Sequence, residues 1–126
     1  MGLILGTILA VAKAAKVVVK AIAIADIAIK TLKVVGNALV KLGKTLGLIK
    51  PETKVEDLGD KAIQSEYKPE DYNSYAEYVK AVEDYKLDPE KSKNISEEEK
   101  IKKGMELAAG AMIEKYGDLP MEELCT

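Results

Sequence analysis

The first fifty residues are mostly apolar, and polar residues interrupt them at a helical spacing. Thirty-two of the fifty are Ala, Val, Ile, Leu or Met, and no proline occurs before Pro51. Lys16, Lys30, Asn37 and Lys44 are separated by multiples of seven residues. One neighbouring row with the same spacing contains Lys13, Lys20 and Lys41. Another contains Asp26 and Lys33. A polar stripe with this period indicates a helix rather than a strand.

The apolar part of this helix is unusually wide. It covers roughly two-thirds of the circumference, whereas an ordinary surface helix has an apolar stripe a little over 100° across. We therefore predict an all-α protein that begins with a long, apolar, lysine-striped helix or helical hairpin. A single helix over residues 3–48 would be about 69 Å long, which the rest of this chain is too small to cover. Such a segment has to fold back as a hairpin, pack against copies of itself or contact lipid.

The second half is predicted to form three to four short helices with clear start signals. Capping boxes are predicted at three places, Thr53–Glu56, Ser74–Glu77 and Ser96–Glu99. Pro69 and Pro89 suit the first position of a helix, and Gly117 suits the end of the last one.

Charge divides the chain in the same place. Residues 1–50 contain eight lysines and one acid, a net charge of +7, and residues 51–126 contain eleven lysines and twenty acids, a net charge of −9. We therefore distinguish a basic apolar helical segment, 1–50, from an acidic helical domain, 51–126. The segment 1–50 either associates with a membrane or forms the core of an oligomer. The two halves either neutralise each other by packing together, or the basic half meets an external anionic partner.

Composition excludes most catalytic chemistry. The chain has nineteen lysines but no arginine, no histidine and a single cysteine, Cys125. One copy therefore offers no imidazole base, no Cys–His pair and no arginine that could clamp a phosphate. No phosphate-binding loop, dinucleotide fingerprint or nucleophile elbow is present. We predict a non-enzymatic protein that needs no cofactor and binds no nucleic acid, because the basic half is too apolar to present a solvated phosphate-binding face.

The lysine stripe leads to a membrane hypothesis. The longest uncharged run is residues 1–12, whereas a spanning helix needs about 18 or more apolar residues. Two other arrangements fit: a helix lying flat with its lysines towards anionic head groups, or several copies turning the stripe towards a watery lumen. The residues predicted to contact membrane or lumen are Lys13, Lys16, Lys20, Lys30, Lys33, Lys41 and Lys44. No lysine precedes the apolar run and no polar cleavage region follows it, so no cleavable secretory signal is expected.

Small residues repeat every four positions in the same segment. They are Gly2, Gly6, Ala10, Ala14, Gly43 and Gly47. Such rows allow helix backbones to approach closely, which favours a homo-oligomer.

Five of the six tyrosines lie within residues 67–85. They form either a binding surface or part of the core. We favour the core, because no Phe or Trp is available for aromatic packing.

Residues 88–99 have the length of a calcium-binding loop. Its oxygen ligands would come from Asp88, Glu90, Ser92, Asn94 and Glu99. The sixth position requires glycine for a sharp turn, and Lys93 stands there. We therefore interpret this stretch as two helix caps rather than a metal site.

These observations favour a small self-associating helical protein whose N-terminal half binds or inserts into membranes. In its strongest form it permeabilises them, while the acidic domain stays in water. The alternative is a soluble structural or adaptor protein, in which the N-terminal helix is the core of a homo-oligomer or is sheathed by a protein partner.

Overall fold

The computed structural model describes the backbone of residues 2–24 and 29–116, and the side-chain surroundings of residues 9–21 and 30–115. Its elements, in chain order, are α1 (Gly2–Ile24), α2 (Ile29–Thr45), α3 (Val55–Ser65), a short 3₁₀ helix (Pro69–Asp71), α4 (Tyr75–Glu83), α5 (Pro89–Ser92) and α6 (Glu97–Tyr116). Over these described ranges there is no strand, and the predicted all-α class is confirmed.

Helix α6 is the element that joins the two halves of the chain. It packs most extensively against α3 and also contacts α1, α2 and α4. Its apolar side chains face those helices, and Ile101, Met105, Leu107 and Met112 are fully buried. Complete burial of a side chain of this size contributes about 1.5–3 kcal/mol, so α6 is a principal source of core stability.

Two glycines allow α3 and α6 to cross at very short range. A Cβ atom on Gly59 would lie 1.7 Å from the carbonyl oxygen of Lys100, and one on Gly104 would lie 2.1 Å from that of Val55. Both positions therefore require glycine, because any larger residue would force the two backbones apart.

Several predicted helix starts are confirmed. The Ser74 hydroxyl accepts a hydrogen bond from the Glu77 amide at 3.1 Å, and the Ser96 hydroxyl accepts one from the Glu99 amide at 3.1 Å. Pro69 opens the 3₁₀ helix, and Pro89 opens α5. Gly117, predicted to end the last helix, lies outside the described residues.

The predicted cap at Thr53 is wrong. Helix α3 begins at Val55, and its N-cap residue is Lys54, which makes no side-chain capping bond. The Thr53 hydroxyl instead donates to Glu83 Oε2 at 2.9 Å. The same carboxylate oxygen accepts the Lys50 amide at 2.9 Å. Glu83 is therefore the buried acceptor that holds the turn between α2 and α3 against the end of α4.

The tyrosines form a contact series in and beside the core. Tyr75 and Tyr78 are fully buried, as the core interpretation predicts, and their ring centroids are 5.2 Å apart. Tyr72 lies between Tyr78 and Tyr67, and Tyr67 also contacts Tyr85. Tyr67 remains 40% exposed, so the series runs from the interior to the surface.

Candidate functional site

The described part of α1 has one buried and one exposed side. Val11, Ala12, Ala15 and Val19 are buried. The opposite side carries three exposed lysines, Lys13, Lys16 and Lys20, which we call the lysine row. At 3.6 residues per turn the lysine row occupies an arc of about 60°. The spacing that predicted the stripe therefore places these lysines away from the core.

A strip of small apolar residues lies next to the lysine row. At the same helical period, Ala10, Ala14, Val17 and Ala21 share an adjoining arc of about 60°. Ala14 is half-buried, the other three are exposed, and Val17 is 64% exposed. We call these four residues the alanine-valine strip. Side by side, the two arcs give α1 a surface that is cationic on one edge and apolar on the other.

The lysines of α2 have different surroundings. Lys30 and Lys41 are exposed, and Lys44 is half-buried beside a surface groove that Lys80 and Glu83 also line. Lys33 is engaged within the protein, because its Nζ lies 3.2 Å from Glu56 Oε2 and 3.4 Å from Glu97 Oε1. The hydrogen bond and charge of Glu56, followed by those of Glu97, raise the pKa of Lys33.

Lys33 thus connects the basic segment to two helices of the acidic half. A second connection is made by Lys50, whose Nζ lies 2.6 Å from Asp84 Oδ1. The hydrogen bond from Lys50 lowers the pKa of Asp84, and the same bond raises the pKa of Lys50. The two halves of the chain are therefore in direct electrostatic contact at these two points.

A surface groove of about 510 Å³ is lined by residues of α1, α3 and α6. Lys16 and Lys20 line it from α1, and Lys102 and Lys103 line it from α6. The remaining lining consists of two apolar residues, Val19 and Ile63, and two carboxylates, Glu99 and Glu106. We call this feature the α1–α6 groove. Sequence reasoning identified its α1 lysines but missed its α6 lysines, because no local spacing shows which distant helix lies opposite α1.

The predicted small-residue positions have diverse surroundings. Gly2 and Gly6 belong to α1, in the part whose side-chain surroundings lie outside the described residues. Ala10 and Ala14 belong to the alanine-valine strip. Gly43 is buried against Ile49 of the following turn, since a Cβ there would lie 2.5 Å from Ile49 Cδ1. Gly47 lies beyond the end of α2 with a φ of +75°, a conformation that suits a helix C-terminal turn.

The residues of the calcium-loop candidate have separate partners. Asp88 caps α5 by accepting the Glu90 amide, and the Asn94 amide group donates to the Glu90 carbonyl. The Ser92 hydroxyl donates to Asp60 Oδ2 and accepts from Lys100 Nζ at 2.9 Å. Among the described residues no group of three or more His, Cys, Asp or Glu side chains could hold a metal ion.

The calcium-loop stretch therefore contains the two helix caps already described, at Asp88 and Ser96. Between these caps in the sequence, Ser92 bonds to the buried Asp60 of α3 and to Lys100 of α6.

In the portion of the chain that the structure describes, no helix is both long enough and apolar enough to cross a membrane. Comparison of the chain with models of known families, with curated proteins and with solved structures found no match.

Proposed function

We propose that this protein binds anionic membrane surfaces through the exposed side of α1. The observation that carries the proposal is the position of the lysine row directly beside the alanine-valine strip, with Val17 64% exposed. A cationic edge next to an apolar edge is typical of helices that lie in the plane of a membrane interface. The lysines would meet lipid phosphates while Val17 and its neighbours enter the boundary of the acyl chains.

The charge pattern of α1 supports this proposal. Gly2–Ile24 contains three lysines and no Asp or Glu, although the whole chain has a net charge of −2. Each lysine held near an anionic surface contributes about 1 kcal/mol. The lysine row would therefore contribute roughly a hundredfold to membrane affinity, and the effect would be screened by salt.

Insertion and permeabilisation are stronger forms of the same proposal. They require α1 to leave α6, because Val11, Ala15 and Val19 are buried in the folded chain. Once released, the helix would present the wide apolar surface and lysine stripe that the sequence predicts, either alone or as a hairpin with α2. Contact between alanine-valine strips of neighbouring copies would then give the proposed homo-oligomer.

Flotation of the full chain with vesicles tests the proposal. Vesicles of phosphatidylcholine and phosphatidylserine should carry the protein at low salt, and vesicles of phosphatidylcholine alone should not. The variant with Ala at each position of the lysine row should lose flotation. A control with the same change in charge replaces three exposed lysines of the acidic half, Lys68, Lys86 and Lys91, by Ala.

The control should float like the wild type. Equal loss in both variants would show that net charge alone governs the interaction, and a wild type that never floats would exclude membrane binding. Dye release from the same vesicles then distinguishes permeabilisation from surface binding.

A soluble structural or adaptor role is the second candidate function. It is favoured by the burial of Val11, Ala15 and Val19 of α1, which gives this helix a packing role inside the chain. Val17 and Val34, exposed at 64% and 67%, would then contact a second copy or a protein partner. Sedimentation of the full chain without lipid tests this role, which requires a defined oligomer and no flotation.

A further inference from the structure

A second surface groove, of about 500 Å³, is lined by the end of α2, the turn that follows it and α4. Its apolar side chains are those of Leu48, Ile49, Pro51 and Ala76. Its charged side chains are those of Lys44, Lys50, Lys80 and Glu83. We call this feature the α2–α4 groove. It combines apolar residues with lysines from both halves of the chain.

The carboxylates at the α2–α4 groove already have partners. Lys50 Nζ lies 2.6 Å from Asp84 Oδ1. Glu83 Oε2 accepts hydrogen bonds from the Lys50 amide and the Thr53 hydroxyl. Lys61 Nζ donates to the backbone carbonyl of Glu83 at 2.9 Å. These two acids are therefore engaged in contacts that hold the turn after α2 against α4.

Lys44 and Lys80 are the groove lysines that have no ion-pair partner among the described residues. The other charges nearby are those of Lys50 and Lys61 and of the carboxylates that act on Lys50, namely Glu52, Glu83 and Asp84. Four lysines against three acids leave an excess of one positive charge. Because an accessible ion pair contributes little by itself, the groove favours an occupant that is apolar as well as acidic.

The end of α6 lies beside the start of α4. The Glu114 carboxylate accepts hydrogen bonds from the Tyr75 amide and from the Ala76 amide. Ala76 also lines the α2–α4 groove. Helix α4 extends about 10 Å from Ala76 to Glu83, a distance that three or four extended residues cover. The chain that follows Tyr116 therefore starts near the groove and is long enough to run along it.

Residues 117–126 have the composition that the α2–α4 groove favours. This stretch, which lies outside the described residues, contains no lysine and three acids, Asp118, Glu122 and Glu123. It also contains four apolar residues, Leu119, Pro120, Met121 and Leu124. Its charge is thus opposite to that of Lys44 and Lys80, and its apolar residues match the apolar lining.

We propose that residues 117–126 of the same chain occupy the α2–α4 groove. Their apolar side chains pack against Leu48 and Pro51, and their acids approach Lys44 and Lys80. A short tether gives an effective concentration in the millimolar range, so a weak attraction is enough to fill the groove. A separate anion lacks this advantage. Residues 117–126 therefore compete with external anions for Lys44 and Lys80, whether or not the protein binds membranes.

A spin label on Cys125, the single cysteine of the full chain, tests this proposal. The label broadens the nuclear magnetic resonance signals of backbone amides that lie near it. The groove variant is Lys44→Gln/Lys80→Gln. The control variant is Lys91→Gln/Lys93→Gln, which removes the same charge from exposed positions outside the groove lining. Circular dichroism establishes that both variants are folded.

We expect the label to reduce the signals of Ile49 and Lys80 by about twofold or more, as for a segment that is docked at least half of the time. High salt and the groove variant should each restore these signals. The control variant should keep the reduction.

Three outcomes would overturn the proposal. The first is a wild type in which the groove signals keep their intensity, or in which the strongest broadening falls on the α1–α6 groove. The second is an equal recovery of signal in both variants, which would show that net charge alone attracts the segment. The third is the same broadening when isotope-labelled copies without a spin label are mixed with spin-labelled copies, because the occupant would then belong to a second copy.

None of these measurements involves a vesicle. The proposal can therefore fail while the flotation experiment succeeds, and the reverse is equally possible.

Discussion

The carbonyl oxygen of Val55 lies so close to Gly104 that a Cβ atom at position 104 would be 2.1 Å away from it. This contact sits where α3 crosses α6, the most extensive helix pair in the fold. The obstacle is backbone rather than a flexible side chain, so the helices themselves would have to move to accept a methyl group.

Gly104→Ala should therefore destabilise the protein by about 3 kcal/mol or more, despite the higher helix propensity of alanine. The matched control is Gly43→Ala. The added methyl group there would meet the side chain of the buried Ile49 rather than a backbone atom. The control should lose less free energy of unfolding than Gly104→Ala, because a side chain can shift more easily than a helix backbone. Urea unfolding measures the free energy of unfolding of both variants. Equal losses of stability would contradict the close backbone approach of α3 and α6 at Gly104.

Glu83 connects the turn after α2 to the end of α4. Its Oε2 atom accepts hydrogen bonds from the Lys50 amide and the Thr53 hydroxyl in a site that is only 6% exposed. Glu83→Ala should lower the free energy of unfolding by about 2–4 kcal/mol, because the buried Thr53 hydroxyl and the partly buried Lys50 amide lose their acceptor. Thr53→Val, which removes a single donor, should have a smaller effect. Thermal unfolding checks the order, and a larger loss in the Thr53 variant would contradict this role of Glu83.

The hydroxyl groups of Tyr75 and Tyr78 give a second matched pair. The Tyr75 hydroxyl donates to the Glu106 carbonyl at 3.3 Å. The Tyr78 hydroxyl is buried and has no hydrogen-bond partner among the described residues. Tyr75→Phe should therefore destabilise the protein by about 1 kcal/mol, and Tyr78→Phe should be neutral or stabilising by a similar amount. Chemical unfolding measures both changes, and a clear loss of stability in Tyr78→Phe would reveal a partner for that hydroxyl.

Stability should also fall steeply in alkaline solution. Burial, followed by neighbouring negative charges, raises the pKa of both Tyr75 and Tyr78 in the folded protein. In the unfolded chain a tyrosine has a pKa near 10. The stabilisation is therefore complete below about pH 10 and is lost as the pH rises from there towards the folded-state pKa values.

With two such groups, the free energy of unfolding should decrease by about 2.7 kcal/mol per pH unit above this point, in addition to any effect of lysine titration. This decrease is checked by following tyrosinate absorbance together with helical circular dichroism as the pH rises. Two of the six tyrosines should ionise only as the helices unfold. Ionisation of all six tyrosines before any loss of the helical signal would contradict the predicted pH dependence.

The sequence allowed the helical class and several helix boundaries to be predicted because these depend on local chemistry. Ser74 and Ser96 cap the helices that follow them, and the bond is formed three residues along the chain. Thr53 has the same sequence pattern, yet its hydroxyl bonds to Glu83, thirty residues away. No local pattern distinguishes these cases, because a tertiary partner competes with the local amide.

The same distinction applies to the glycines and to the candidate site. A regular spacing of four residues predicted close helix packing at Gly43 and Gly47. The closest backbone approaches instead occur at Gly59 and Gly104. Those two are isolated glycines in different helices. An isolated glycine within a helical pattern is the only sequence signal for such a crossing. The lysine row was predictable from its period, but the α1–α6 groove depends on which helix lies opposite α1.

The position of α6 in the chain has a consequence for synthesis. The helix that contacts α1, α2, α3 and α4 is the last of the described helices to be made. Until residues 97–116 have left the ribosome, the apolar sides of α1 and α2 have no α6 to cover them. The core can therefore close only after these residues have emerged.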